Sequence, residues 1–135
     1  MMTQVPIKSK KLKCKNTLLD CELIDDKTFY GFDLLFHENA DYRNHNLLTR
    51  LKLMKSVIAE LSKTKTKYKY QSKKFYMTDI FKNAKYVWDN RSKLFPYELD
   101  GLIFTPIRGN YLSHLPILKW KHLHSIDVRV MFNKR

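Results

Sequence analysis

Residues 17–36 read TLLDCELIDDKTFYGFDLLF. Two apolar, aromatic-rich runs flank a short polar stretch, Asp25-Asp26-Lys27, the pattern of a β-hairpin or two neighbouring strands. Alternation along the first run puts Asp20 and Glu22 on one strand face. Carboxylates set between leucines can orient a ribose hydroxyl or help hold a hard divalent cation, or they are simply a surface-facing acid pair. The second run sets Tyr30 and Phe32 on one face, a platform for a flat base or a piece of aromatic core.

Outward from this pair, HENADYRNHN is a polar connection. Leu47, Leu51, Met54, Ile58 and Leu61 then recur at helical spacing, with Arg50, Lys52, Lys55 and Glu60 on other faces, which predicts an amphipathic helix of about four turns. Residues 63–77, KTKTKYKYQSKKFYM, alternate lysine with threonine or tyrosine, as expected of a strand with one lysine-covered face near a sheet edge. Thr78 can cap a second helix whose buried stripe is Ile80, Phe81, Ala84, Val87 and Trp88. NRSKLFPYEL reads as a loop. DGLIFTP reads as a short buried strand ended by Pro106, and ILKWK and IDVRVMF as two more. The order β-β-α-β-α-β-β-β predicts an α+β fold, an antiparallel sheet flanked by two helices. Residues 1–16 read as a basic, poorly ordered leader.

The chain has 135 residues, enough for one domain or part of a larger one. At 44% apolar and 13% aromatic it is too rich for disorder. No apolar run approaches the roughly 20 residues that span a bilayer, and the basic N-terminal stretch lacks the apolar segment of a secretory signal. Cys14 and Cys21 lack CxxC spacing and are expected to stay reduced, in a cytosolic or nuclear setting; no histidine pair makes them zinc ligands. Lys+Arg 26 against Asp+Glu 13 leaves a net charge of +13, which favours polyanionic partners and salt-sensitive binding.

In LKWK, residues 118–121, Lys119 and Lys121 share one strand face and Trp120 takes the other. Two ammonium groups this close repel unless an anion sits over them, and a phosphate suits that place; a solvated edge is the plain alternative. Asp100 opens DGLIF, where a carboxylate can reach a metal or a phosphate-bound water, and Gly101 admits a close approach of backbone or ligand.

The succession of acid strand, aromatic strand, helix, lysine-rich strand, helix, DGLIF and LKWK resembles the later part of the nucleotidyltransferase domain of covalent nucleotidyltransferases, over residues 17–130. This superfamily (ATP-grasp-like in fold) holds mRNA capping enzymes and ATP-dependent polynucleotide ligases. DGLIFTP followed by LKWK and SIDV is similar to capping enzymes; ligases usually carry glutamate at the position of Asp100. The resemblance implies GMP transfer from GTP, through a lysyl-GMP intermediate, to the 5′-diphosphate end of RNA, with Mg2+ or Mn2+. It further implies that Glu22 contacts ribose or supports the metal, that Phe32 stacks on guanine, and that Asp100 serves metal-dependent catalysis. Lys119 and Lys121 would hold the α-phosphate and depress the pKa of the nucleophilic lysine.

There are departures. The family's KxDG nucleophile signature does not occur, KSKKLKCK lacks the acid and the glycine, and the downstream OB-fold is not found. Cys21 stands where the family usually has glycine, and His122 where it often has proline. The expectation is a partial domain, 17–135, inactive alone and marginally stable unless a complementary chain covers its edges. Its partners would be GTP and the RNA 5′ end, with no membrane, in the cytoplasm or nucleus of a eukaryotic host, including a viral factory or virion. A ligase fragment and a non-catalytic basic RNA-binding module are the alternatives.

Overall fold

The computed structural model describes residues 5–8 and 12–122. The expected strand at IDVRVMF and the SIDV motif lie outside them. The chain divides into two units, Met1–Met77 with Thr105–Pro116, and Thr78–Phe104 with Ile117–Arg135.

In the first unit, β1 (Leu18–Ile24) pairs antiparallel with β2 (Thr28–His37). The turn between them holds Asp25 and Asp26 at φ 53° and 51°, a left-handed conformation that aspartate tolerates better than most residues. A second hairpin lies inside the expected polar connection: Glu38 and Asn39, at φ 50° and 70°, join β2 to the two-residue β3 (Ala40–Asp41). Two central residues with positive φ match the right-handed twist of the flanking strands.

α1 (Leu47–Leu61) follows, capped by Asn46, whose side chain accepts from the Thr49 N–H at 2.9 Å. β4 (Lys69–Ser72) returns beside β2, in parallel. The all-antiparallel expectation is therefore corrected at this strand. The chain leaves β2, crosses over through α1 and re-enters at the same end, which forces a parallel pairing. The strand within the lysine alternation is also short, four residues of the fifteen, and it does lie at the sheet edge.

Leu34, Leu47, Leu51, Met54, Val57, Ile58, Leu61 and Tyr70 form the core between α1 and the sheet. Ile7, Leu12 and Cys14 pack against it, and Glu60 accepts from the Cys14 N–H at 3.2 Å. Gly31 lets α1 come close: a Cβ there would stand 2.6 Å from Ile58 Cδ1 and 3.4 Å from Met54 Sδ.

Arg50 corrects the sequence reading, which put it on an outer face. It is 2% exposed. Its guanidinium grips Asp33 with two bonds, Nε to Oδ1 at 2.7 Å and Nη2 to Oδ2 at 3.0 Å, and donates to the carbonyls of His45 and, at 3.3 Å, Gly109. A charge this deep is tolerated only with such complete pairing. β2 is bulged beside this pair: Asp20 pairs with Asp33 but Cys21 with Gly31, leaving Phe32 as the extra residue, and the shifted phase brings Leu34, three residues after Gly31, into the core.

In the second unit, α2 (Ile80–Asp89) and the short α3 (Arg91–Leu94) precede β5 (Gly101–Phe104), which pairs antiparallel with β6 (Leu118–Lys121). The cap of α2 is Asp79, not Thr78; its carboxylate accepts from the Lys82 N–H at 3.3 Å. α3 replaces part of the expected loop. The expected buried stripe is corrected too. Val87 is buried and Trp88 meets Trp120 edge to face at 4.8 Å, whereas Phe81 is 89% exposed and Ile80 is exposed. The ring contacts between α2 and the β6 end fall at Trp88, in the helix's last turn, and among the described residues its first turn stays bare. Among the described residues no helix is long and apolar enough to cross a membrane.

Candidate functional site

The sequence-derived site residues fall into two groups, one in each unit. In the second unit the ladder sets Gly101 opposite Lys121 and Ile103 opposite Lys119, so both lysines lie on one face and Trp120, opposite Leu102, on the other. Lys119 Nζ donates to Asp100 Oδ2 at 2.9 Å, across a pair that is open to solvent. The bond from Lys119, reinforced by the charges of Lys119 and Lys121, lowers the Asp100 pKa from the ordinary aspartate value. Gly101 has a steric reason to be glycine: a Cβ would lie 2.0 Å from the Trp120 carbonyl oxygen. The close approach anticipated at this glycine is made by β6 itself. Behind the lysines, Trp88, Trp120 and His122 form an aromatic cluster, with the Arg91 guanidinium 4.2 Å over the Trp88 ring.

The first unit carries Glu22 and Phe32. Glu22 is the cross-strand partner of Tyr30, and both lie on the sheet face away from α1, because their neighbours Cys21 and Gly31 face α1. Lys73, just past β4, donates to Glu22 Oε2 and holds its ammonium 5.6 Å from the Phe32 ring centroid. Acid, cation and aromatic ring thus meet on one face, a set able to accept a donor, contact an oxygen or nitrogen acceptor and stack on a flat ring. Lys73 escaped the sequence reading; its only signal was a lysine doublet, and the register of β4 against β2 is what brings it here. Asp20 is turned to another task, accepting from the Tyr111 hydroxyl at 2.8 Å. Burial, together with that bond, pushes the Tyr111 pKa up to about 12.

Cys21 is pushed up to about 11, by burial and then by the charge of Asp20, and both cysteines are free. Among the described residues no three His, Cys, Asp or Glu side chains cluster as a metal cage.

Residues 1–123 match the family model described as mRNA capping enzyme, catalytic domain. The chain belongs to the mRNA capping enzyme family. It is similar to a probable mRNA-capping enzyme of Acanthamoeba polyphaga mimivirus, 27% identical across 96% of this chain, and to an mRNA-capping enzyme of Mus musculus, 28% identical across 94%. The chain spans 16% and 24% of the length of these two relatives. The capping-enzyme match takes in every site residue named above, from Glu22 to Lys121, and the α+β architecture with its antiparallel pairs is consistent with a capping enzyme domain.

Proposed function

We propose that this chain carries nucleotide-handling residues of an mRNA guanylyltransferase. In this reaction a neutral lysine amine attacks the α-phosphorus of GTP, a P–N bond forms and pyrophosphate leaves. A β-phosphate oxygen at the RNA 5′ end then attacks the same phosphorus, the P–N bond breaks and GMP passes to the RNA. The observation that carries the reading is the Asp100–Lys119–Lys121 group on one face of β5 and β6, two cations and a carboxylate arranged around an open surface. Lys119 and Lys121 take the α-phosphate as point-charge donors, neutralising charge that grows during attack. Phe32 stacks on the guanine, while Glu22, steadied by Lys73, takes the ribose side.

Asp100, with an open side chain, suits Mg2+ or Mn2+ as a single carboxylate ligand, and Glu22 is the second candidate; phosphate oxygens and water would complete the shell. Such an ion supplies charge neutralisation at the phosphates. The sequence contains no KxDG, so the stretch from Met1 to Arg135 does not form lysyl-GMP by itself and works with a complementary segment that supplies the nucleophile. A capping role places it where transcripts emerge, in a nucleus or a cytoplasmic viral factory of a eukaryotic host.

The test is limited proteolysis with nucleotide, run beside a radiolabelled-GTP adduct assay with magnesium. GTP is expected to protect the chain and ATP not, Lys119→Ala to abolish protection, and no covalent band to form. A covalent band would show that the nucleophile lies among these residues. Preference for ATP would turn the reading to a ligase, and RNA binding indifferent to both nucleotides and to Asp100→Ala would leave a plain RNA-binding module.

A further inference from the structure

Between Glu60 and Asp79 the chain has eighteen residues without one acid and with six lysines, at 63, 65, 67, 69, 73 and 74. Lys63, Lys65, Lys67 and Lys69 are exposed. The pairing of β4 with β2 gives this run a direction. Phe29 sits beside Tyr70, and both pack toward α1; Thr28 sits beside Lys69, which therefore shares the opposite face with Tyr30 and its partner Glu22. The Lys73 N–H donates to the Gly31 carbonyl at 2.8 Å, extending the ladder past the strand. Lys69 and Lys73 thus flank Gln71 on the side that carries Glu22 and Phe32. Upstream, the Lys67 ammonium lies 4.7 Å from the Tyr68 ring, which itself meets Phe29 edge to face at 4.9 Å. The lysine run is therefore anchored by its tyrosines and is not a floating tail.

From this we infer that residues 63–69 and β4 form a track for the phosphate backbone of single-stranded RNA, leading to the Lys73–Phe32 group. Along β4 and on to Lys73, alternate residues stand roughly 6.7 Å apart, a spacing comparable with that of successive phosphates on an extended strand, and Lys63, Lys65 and Lys67 lead into it through an irregular segment. Lysines in a stretch that has no acid of its own bind such a chain by releasing its counterions, independent of base identity. The run ends where the proposed guanine site begins, and a polyphosphate chain whose end must reach a nucleotide is the ligand that uses both. The inference rests on the guanylyltransferase reading for its direction and adds the path of the RNA body.

The experiment measures anisotropy of a fluorescent twelve-nucleotide unstructured RNA with a 5′-diphosphate, titrated with the full chain at several salt concentrations. Two variants of equal charge are compared: Lys67→Gln/Lys69→Gln on the track, and Lys52→Gln/Lys55→Gln on the solvent side of α1. The track variant is expected to bind at least about tenfold more weakly at low salt, with a slope of log K against log salt flatter by about 1.4, from two lost contacts on a single strand. The α1 variant is expected to keep the parent slope. Equal losses in both would mean that binding follows net charge, and the track falls. Displacement of the RNA by an acidic phosphopeptide of the same charge, with the same sensitivity to Lys67 and Lys69, would assign the track to a protein partner instead. GTP protection, read on both variants, is expected to be unchanged. Its absence from the parent chain would fault the guanylyltransferase reading, whereas an unaltered RNA slope in the track variant would fault the track alone.

Discussion

Arg50→Met isolates what the buried ion pair does. The guanidinium is the shared partner of β2, the turn before α1 and the 105–116 segment, through Asp33, the His45 carbonyl and the Gly109 carbonyl. Methionine fills much of the space but leaves Asp33, among the described residues, with the Leu34 N–H at 2.7 Å as its one remaining donor. Removing one member of a buried charge pair costs about 3–5 kcal/mol, because the remaining charge stays dry and uncompensated. At 1.4 kcal/mol per tenfold, that is a shift of about 100- to several-thousand-fold in the folding equilibrium. A domain at the low end of the usual range of about 5–15 kcal/mol would become marginal.

Urea unfolding followed by far-UV circular dichroism measures this. Tryptophan fluorescence does not, since Trp88 and Trp120 both belong to the second unit. Asp33→Leu/Arg50→Met is expected to recover most of the loss, as apolar replacement of both partners of a buried pair is often neutral or better. A cost below about 1 kcal/mol for Arg50→Met, or a double variant no more stable than the single, would refute the claim that this pair fastens the unit.

Gly101→Ala should part β5 from β6, because its Cβ would meet the rigid Trp120 carbonyl at 2.0 Å; Gly31→Ala should cost less, since it meets the mobile end of Ile58. Urea melts of the two variants, with tryptophan emission for the first, decide it, and an unperturbed Gly101→Ala would overturn the account. Cys21, pushed up to about 11, should alkylate far more slowly at pH 8 than an unfolded thiol, and urea should abolish the difference. Its folded state keeps the proton, so the associated stability is full below the ordinary thiol value near 9 and is lost as pH rises toward 11. Fast alkylation in the folded chain would contradict that burial.

Much of the fold could be read from local chemistry. The 18–24 and 28–37 strands and the 47–61 helix follow from apolar periodicity and the acidic turn, all contained within a few residues. What escaped depends on partners distant in the chain. The direction of β4 is set by where α1 delivers it, and the bulge at Phe32 by how β2 must bend over α1. Arg50 did leave a trace: it stands three residues after Leu47 and one before Leu51, on the apolar stripe itself, while Asp33 interrupts an aromatic strand. Two lone charges of opposite sign in apolar settings are a pairing signal, but only the folded sheet shows that they can meet.

The same reasoning bears on the cysteine that stands where the family usually has glycine. Read along the chain, a thiol next to Glu22 crowds the residue proposed to serve the nucleotide. Across a strand, neighbours point to opposite faces. Cys21 Sγ lies 3.6 Å from where a Gly31 Cβ would be, on the α1 side, with Ile58 and Met54 close to the same point. The side chain that one strand gains is accommodated by the side chain that its partner lacks. Glu22, on the other face, remains open to Lys73. The exchange therefore loads the packing between sheet and helix rather than the site, and Cys21→Gly should alter stability while leaving GTP protection in place.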